Sequence, residues 1–77
     1  MYWIDTSNAT QATSSRVRYF ICDTTEDIDN LPDSQHEGEP QGDSVTHLPC
    51  SKGSTCTCIE PASVWMLNSH DEWKLLG

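Results

Sequence analysis

Ser54-Thr55-Cys56-Thr57-Cys58-Ile59-Glu60 alternates strictly: on an extended chain Cys56 and Cys58 fall on one face, and Thr55, Thr57 and Ile59 fall on the other. A period of two over seven residues is a strand signal, and the stretches on either side repeat it. Pro61-Ala62 interrupts the run. Ser63-Val64-Trp65-Met66-Leu67-Asn68 then reads as a second strand, Ser69-His70-Asp71 as a turn, and Glu72-Trp73-Lys74-Leu75-Leu76 as a third strand. Upstream, Ser44-Val45-Thr46-His47-Leu48 has the composition of a short strand, followed by a turn over Pro49-Cys50-Ser51-Lys52-Gly53.

In the first half the best strand is Arg16-Val17-Arg18-Tyr19-Phe20-Ile21-Cys22-Asp23, rich in β-branched and aromatic residues. Val17, Tyr19 and Ile21 share one face of it; Phe20 and Cys22 make the other apolar too at its end. Thr24 to Pro32 carries helix signals: Thr24 as a cap, Asp27 three residues on as an acidic version of the capping box, Ile28 and Leu31 at i and i+3, and Pro32 as the stop. The spacing predicts one short helical turn near Thr25 to Leu31. Met1 to Ile4 is a short apolar edge segment, Asp5 to Ser15 a polar linker, and Asp33 to Asp43 an acidic loop punctuated by Gly38, Pro40 and Gly42. The expected organisation is therefore an N-terminal edge segment and linker over 1–15, and a single small β-rich domain over 16–77 with its acidic loop at 33–43. The fold class is mainly β: a small antiparallel sheet or meander of four or five strands, with one helical turn and a core drawn from Tyr19, Ile21, Trp65, Leu67 and Trp73.

The chain has 77 residues, with 12 acids against 4 lysines and arginines and a formal charge of −8. Area scaling gives roughly 4,700 Å² exposed when folded against about 12,500 Å² for the open chain, so only about three-fifths of the surface is buried and self-stability is thin. The charge disfavours nucleic acid, whose phosphates need cationic partners, and an anionic membrane surface. No apolar run reaches the length of a membrane helix. Met1 is not followed by a basic region and an apolar stretch, which reads as a chain without a secretory signal, made in the cytosol with reduced cysteines. From Asp23 to Asp43 there are eight acids and no lysine or arginine. That run is a solvated face or, more sharply, a surface for a cation or a basic partner.

His47, Cys50, Cys56 and Cys58 are the weak candidates for metal ligation. Their spacing, His-x2-Cys-x5-Cys-x-Cys, lacks the paired Cys-x2-Cys turns that deliver tetrahedral zinc ligands. A disulfide from Cys50 to Cys56 or Cys58 and free, buried thiols are the other readings. Cysteine, serine and histidine are present, but none sits in a nucleophile context, and no glycine-rich phosphate cradle occurs. No enzyme active site and no cofactor are expected. Tyr2, Trp3 and Ile4 sit on a terminal segment with few neighbours of its own, which marks them as interface candidates, with Trp3 as the anchor.

Tyr19-Phe20-Ile21-Cys22-Asp23-Thr24, Asp27-Ile28-Asp29-Asn30-Leu31-Pro32, Lys52-Gly53-Ser54, Val64-Trp65-Met66-Leu67-Asn68-Ser69 and Glu72-Trp73-Lys74 follow one another in an order that resembles small virion proteins of tailed bacteriophages, of the head-fibre, capsid-decoration and tail-associated kind. Trp65 stands where that pattern carries tyrosine, and the acidic loop and the cysteines lie outside it. The resemblance implies a non-enzymatic structural protein that decorates a particle. Its partners would be other virion proteins of the capsid or tail, in a homo-oligomer with a trimer favoured by analogy. It would be made in the host bacterial cytoplasm and located in the virion. The alternative is a small acidic binding or inhibitor module of the anti-defence or nucleic-acid-mimic type.

Overall fold

The computed structural model describes residues 1–5 and 16–77. The linker expected at Asp5 to Ser15 falls, beyond Asp5 itself, outside the described residues. Five strands form one sheet in chain order: β1 (Tyr2–Ile4), β2 (Tyr19–Thr24), β3 (Thr55–Glu60), β4 (Ser63–Leu67) and β5 (Trp73–Leu75). Three of the four pairings are antiparallel, but β2 and β3 run parallel, with Phe20 beside Cys56 and Cys22 beside Cys58. The sheet is mainly β as expected, and it is mixed. A parallel neighbour cannot be reached through a hairpin, so residues 25–54 travel back over one face of the sheet before β3 begins.

That crossover starts with the helical turn, a 3-10 helix over Thr25–Asn30. The Thr24 N–H donates to Asp27 Oδ2 at 3.2 Å, the acidic half of the expected capping box. Ile28, Leu31 and Cys50 on the crossover pack against Phe20, Cys22, Cys56, Cys58 and Leu67 of the sheet, and this is the core. The exposed surface of 4683 Å² matches the size-scaling value.

Several expectations are corrected here. Phe20 and Cys22, not Tyr19 and Ile21, face the crossover; Tyr19 and Ile21 lie half-buried on the opposite face. Both faces of β2 are apolar, so its alternation did not say which side the crossover would cover. Leu67 is a core residue, and Trp65 and Trp73 are half-buried against the core. Ser44 to Leu48 is not a strand. Asp43 Oδ1 accepts the Val45 and Thr46 N–H groups at 2.9 and 2.7 Å and its Oδ2 accepts the Thr46 hydroxyl, which bends the chain into a turn. The Thr46 hydroxyl, with these backbone donors, holds the Asp43 carboxyl below its usual range.

The N-terminal segment is part of the domain, not an appendage to it. Tyr2 is 1% exposed, its ring edge-on to Phe20 at 5.8 Å, and its hydroxyl donates to the Glu39 carbonyl at 2.8 Å. Burial, then the nearby Glu39 charge, push the Tyr2 phenol up to about 12. Ile4 packs against the same core, and Trp3 sits half-buried on the other face. Of the three interface candidates, Tyr2 and Ile4 are therefore interior residues. They are covered by β2 and by the acidic loop, neighbours that the linear sequence did not place beside them. The outer edge of β1 is also occupied: the Tyr2 N–H donates to Gln41 Oε1 at 3.4 Å.

The acidic loop is tied down rather than loose. Gly38 N–H donates to His47 O, and Glu39 N–H to Asn30 O. A Cβ at Gly38 would lie 2.6 Å from both Asn30 O and the Tyr2 hydroxyl, so only glycine allows this approach.

Two outcomes follow from this arrangement. Phe20→Ala should cost about 3–5 kcal/mol in urea unfolding, as large aromatic truncations in cores do, and Ile21→Ala about 1 kcal/mol or less; the reverse order would place the crossover on the other face. The second concerns the Met1 ammonium, which donates to Asp27 Oδ1 at 2.6 Å. The contact holds the Asp27 carboxyl below its ordinary range and raises the ammonium above its own. A depressed acid contributes stability above its unfolded pKa and loses it as pH falls through the folded value. A raised ammonium contributes below its unfolded pKa and loses it as pH rises through the folded value. The contact therefore stabilises most between about pH 4 and pH 8. Asp27→Asn should lower the melting temperature in that window and converge with the parent chain below it; a constant difference down to pH 2 would remove the charge from the explanation.

Candidate functional site

Three clusters of side chains stand out: the thiols, the uncovered face of the sheet, and a cavity beside the two tryptophans.

The thiols sit where the crossover lies closest to the sheet. Cys22, Cys50, Cys56 and Cys58 are all free and 0–1% exposed. Burial pushes the Cys22 thiol up to about 11 and raises Cys56 and Cys50 as well, which keeps these sulfurs protonated and poorly nucleophilic. Cys50 Sγ donates to Pro32 O and Cys58 Sγ to Glu60 O, each at 3.6 Å. The set His47, Cys50, Cys56 and Cys58 is not assembled around a common point. Cys56 and Cys58 have Cys22 as their sulfur neighbour, and among the described residues no three His, Cys, Asp or Glu side chains are placed to hold a metal ion. His47 turns a buried Nδ1 inward without a hydrogen-bond partner. The sulfurs fill volume in the core: Cys56 lies beside Phe20 in the register, and the Phe20 ring meets Trp73 edge-on at 6.1 Å.

The uncovered face follows from the register. Trp3, Ile21, Thr57 and Val64 are aligned across four strands, and Leu76 lies beside Val64, its N–H donating to Val64 O at 2.7 Å. The next row is Asp5, Tyr19, Thr55, Met66 and Lys74. Ile59 extends the apolar surface along β3. Exposure of Ile59 is 56%, of Leu76 59% and of Val64 37%. Among the described residues the part of the crossover that forms the core packs on the opposite side, while Asp43, Val45 and Thr46 come round beside Trp3 at the β1 edge. Both charges in these rows are at the ends, Asp5 beside β2 and Lys74 on β5, and Lys74 makes only a long 3.8 Å contact with exposed Glu72.

The cavity lies on the crossover side, where the 3-10 helix leaves β4 and β5 partly open. It measures about 340 Å³ and is walled by Trp65, Trp73 and Ile28, with Asp29, Asp33 and Asp71 among its lining residues. Each indole N–H is already used: Trp65 Nε1 donates to Ser63 Oγ and Trp73 Nε1 to Pro32 O, both at 3.1 Å. The rings are thereby fixed. Asp71 has a left-handed backbone, φ 60°, and its Oδ1 accepts the Ser34 N–H and hydroxyl at 3.1 and 2.6 Å. Burial works against ionisation of Asp33, but the Gln35 and His36 N–H groups outweigh it and hold that carboxyl below its usual range. The sequence offered the acids and the tryptophans separately. Their meeting depends on the parallel crossover, which no local pattern marked.

No protein-family model, no curated protein and no solved structure matches this chain. Among the described residues, no helix is long and apolar enough to cross a membrane.

The thiol geometry makes a direct forecast. Iodoacetamide at pH 8 should leave all four cysteines unmodified in the folded chain and label all four in urea, as read by mass spectrometry. Rapid labelling of any of them under native conditions would show that the crossover opens far more readily than its packing implies.

Proposed function

We propose that this chain is a non-enzymatic assembly subunit that associates with a second copy of itself through the uncovered face of its sheet. The observation that carries this reading is the row Trp3, Ile21, Thr57, Val64 and Leu76, apolar at every position but Thr57, with Val64, Leu76 and the adjoining Ile59 exposed. A broad side of a globule with 4683 Å² of surface is about a sixth of the total, or about 800 Å², the share each partner contributes to an interface of standard size.

The ends of the second row favour a copy of this chain as the occupant. A two-fold axis running along β3 would bring Asp5 of one copy opposite Lys74 of the other, and repeat the pair by symmetry. Sheets stacked face to face in this way pack about 10 Å apart. The N-terminal residues enter the contact through Trp3, as part of a face and not as an added edge strand.

The resemblance to small virion proteins of tailed bacteriophages gives this assembly its setting. On that reading the subunit decorates a phage particle, in contact with capsid or tail proteins, and a repeated lattice multiplies a modest single contact into firm attachment. It would be synthesised in the bacterial cytoplasm and end in the virion.

Sedimentation across a concentration series tests the association. The parent chain should show a reversible two-copy species, and Ile59→Asp with Val64→Asp should raise the dissociation constant at least tenfold by placing carboxylates in the apolar contact. Both positions are exposed, so the variants keep the fold. A parent chain that stays monomeric at every concentration would end the proposal, and a three-copy species would replace the two-fold arrangement by the trimer. Mass spectrometry of purified particles tests the setting: many copies per particle are expected, and absence from the particle removes the virion role.

A further inference from the structure

The cavity beside Trp65 and Trp73 is on the opposite side of the sheet from the proposed self-association face, and it has a different chemistry. Two indole rings form an apolar wall, fixed because both ring N–H groups are spent on Ser63 and Pro32. An indole face attracts cations, and does so more strongly than any other aromatic ring. Around the wall stand Asp29, Asp33 and Asp71. Asp33 takes up His36 and two backbone N–H groups, and Asp71 gives one oxygen to Ser34. Asp71 Oδ2 and both oxygens of Asp29 accept no hydrogen bond from the described residues. The four lysines and arginines are Arg16, Arg18, Lys52 and Lys74, and none of them lines the cavity.

A small inorganic cation would use the carboxylates and leave the rings idle. A neutral aromatic ligand would use the rings and leave the carboxylates unpaired. One chemistry uses both: a flat, delocalised cation on an apolar stem, which stacks on an indole and presents N–H groups in its plane to carboxylate oxygens. A cavity of about 340 Å³ takes one such side chain. We infer that this cavity is a receptor for an arginine side chain of a partner protein, with the guanidinium against Trp65 and Trp73 and its N–H groups donating to Asp29 and Asp71. The overall charge of −8 draws a basic partner surface toward the chain before the side chain enters. The site depends on neither the two-fold association nor the virion setting, because every residue in it belongs to one copy.

The test uses the whole chain and three capped tripeptides: acetyl-Gly-Arg-Gly-amide, the same peptide with citrulline, the uncharged isostere of arginine, and the same peptide with lysine. Binding is followed by tryptophan fluorescence and by NMR shifts of the indole N–H groups. The arginine peptide should saturate, moving the Trp65 and Trp73 signals while Trp3 stays still. The citrulline peptide should bind at least tenfold more weakly and the lysine peptide several-fold more weakly. Asp29→Asn should weaken the arginine peptide about tenfold, and Trp65→Leu about fivefold. Asp29 is exposed and accepts no hydrogen bond from the described residues, so its variant tests the site without endangering the fold. Glu37→Gln removes an exposed acid that does not line the cavity and should change nothing. Equal binding of the citrulline peptide, still indole signals, or a Glu37→Gln loss as large as that of Asp29→Asn would overturn the inference, the last by reducing it to general charge attraction. Lysine binding tighter than arginine would overturn the assignment of a guanidinium.

Discussion

The parallel pairing of β2 with β3 is the constraint on which everything else in this molecule depends. Antiparallel neighbours can be joined by a few residues, but a parallel neighbour obliges the chain to return to the end at which it began. Here the return takes residues 25–54, more than a third of the 77-residue chain, and its buried part packs on one face. The covered face becomes the core. The other keeps its strand alternation without a layer above it, and carries Trp3, Ile21, Val64 and Ile59 outward among the described residues. A domain of this size has little apolar surface to spare, so the exposed Val64, Ile59 and Leu76 on that face are a sizeable share of it.

The same crossover explains the cysteines. The layer between the sheet and the crossover mixes small sulfurs with the larger Phe20, Ile28, Leu31 and Leu67. Cys22, Cys56 and Cys58 occupy the sheet side of that space, and Cys50 comes down from the crossover itself. Small apolar sulfurs suit the task, and dryness keeps the thiols of Cys22, Cys50 and Cys56 protonated. Larger side chains fill the margins of the same layer, where Tyr2, Phe20 and Trp73 meet edge-on in sequence. At the far margin the layer ends before β4 and β5 do, and the tryptophan-walled cavity is what remains uncovered.

Much of this was legible in the residues. The alternation at Ser54–Glu60 marks β3 and its inward sulfurs, the Thr24–Asp27 pair marks the helical turn, and the run from Ser63 to Leu76 marks the last two strands to within a residue or so. The failures share a cause. Local pattern says that a strand exists but not which neighbour it takes. In β2, Tyr19 and Ile21 compete with Phe20 and Cys22 as the buried set, and only the placement of the crossover decides between them. Tyr2 looked unprotected because Glu39, Phe20 and the β2 backbone are distant in the sequence. At Val45 to Leu48 strand propensity yielded to a single carboxylate, Asp43, which offers the backbone nearer hydrogen bonds than any strand supplies. The cavity was legible only as ingredients: Trp65 and Trp73 as packing residues, Asp29 and Asp33 as part of an acid-rich run, and Asp71 as a turn residue.

The close approach at Gly38 also bears on how the acidic loop can change length. Because Gly38 and Glu39 are fastened to His47, Asn30 and Tyr2, the stretch that reads as one long loop is mechanically two short ones, on either side of a clamp. Lengthening a surface loop costs little closure entropy, about 0.6 kcal/mol for each doubling, so residues inserted between His36 and Gly38 or between Gln41 and Asp43 would bulge into solvent with the clamp and its flanking turns intact. Moving the glycine by one place would instead drive a Cβ into the Asn30 carbonyl. The most polar part of the chain thus divides into two regions open to foreign sequence and one fixed point between them, which makes it a natural place for grafting a peptide epitope onto the scaffold.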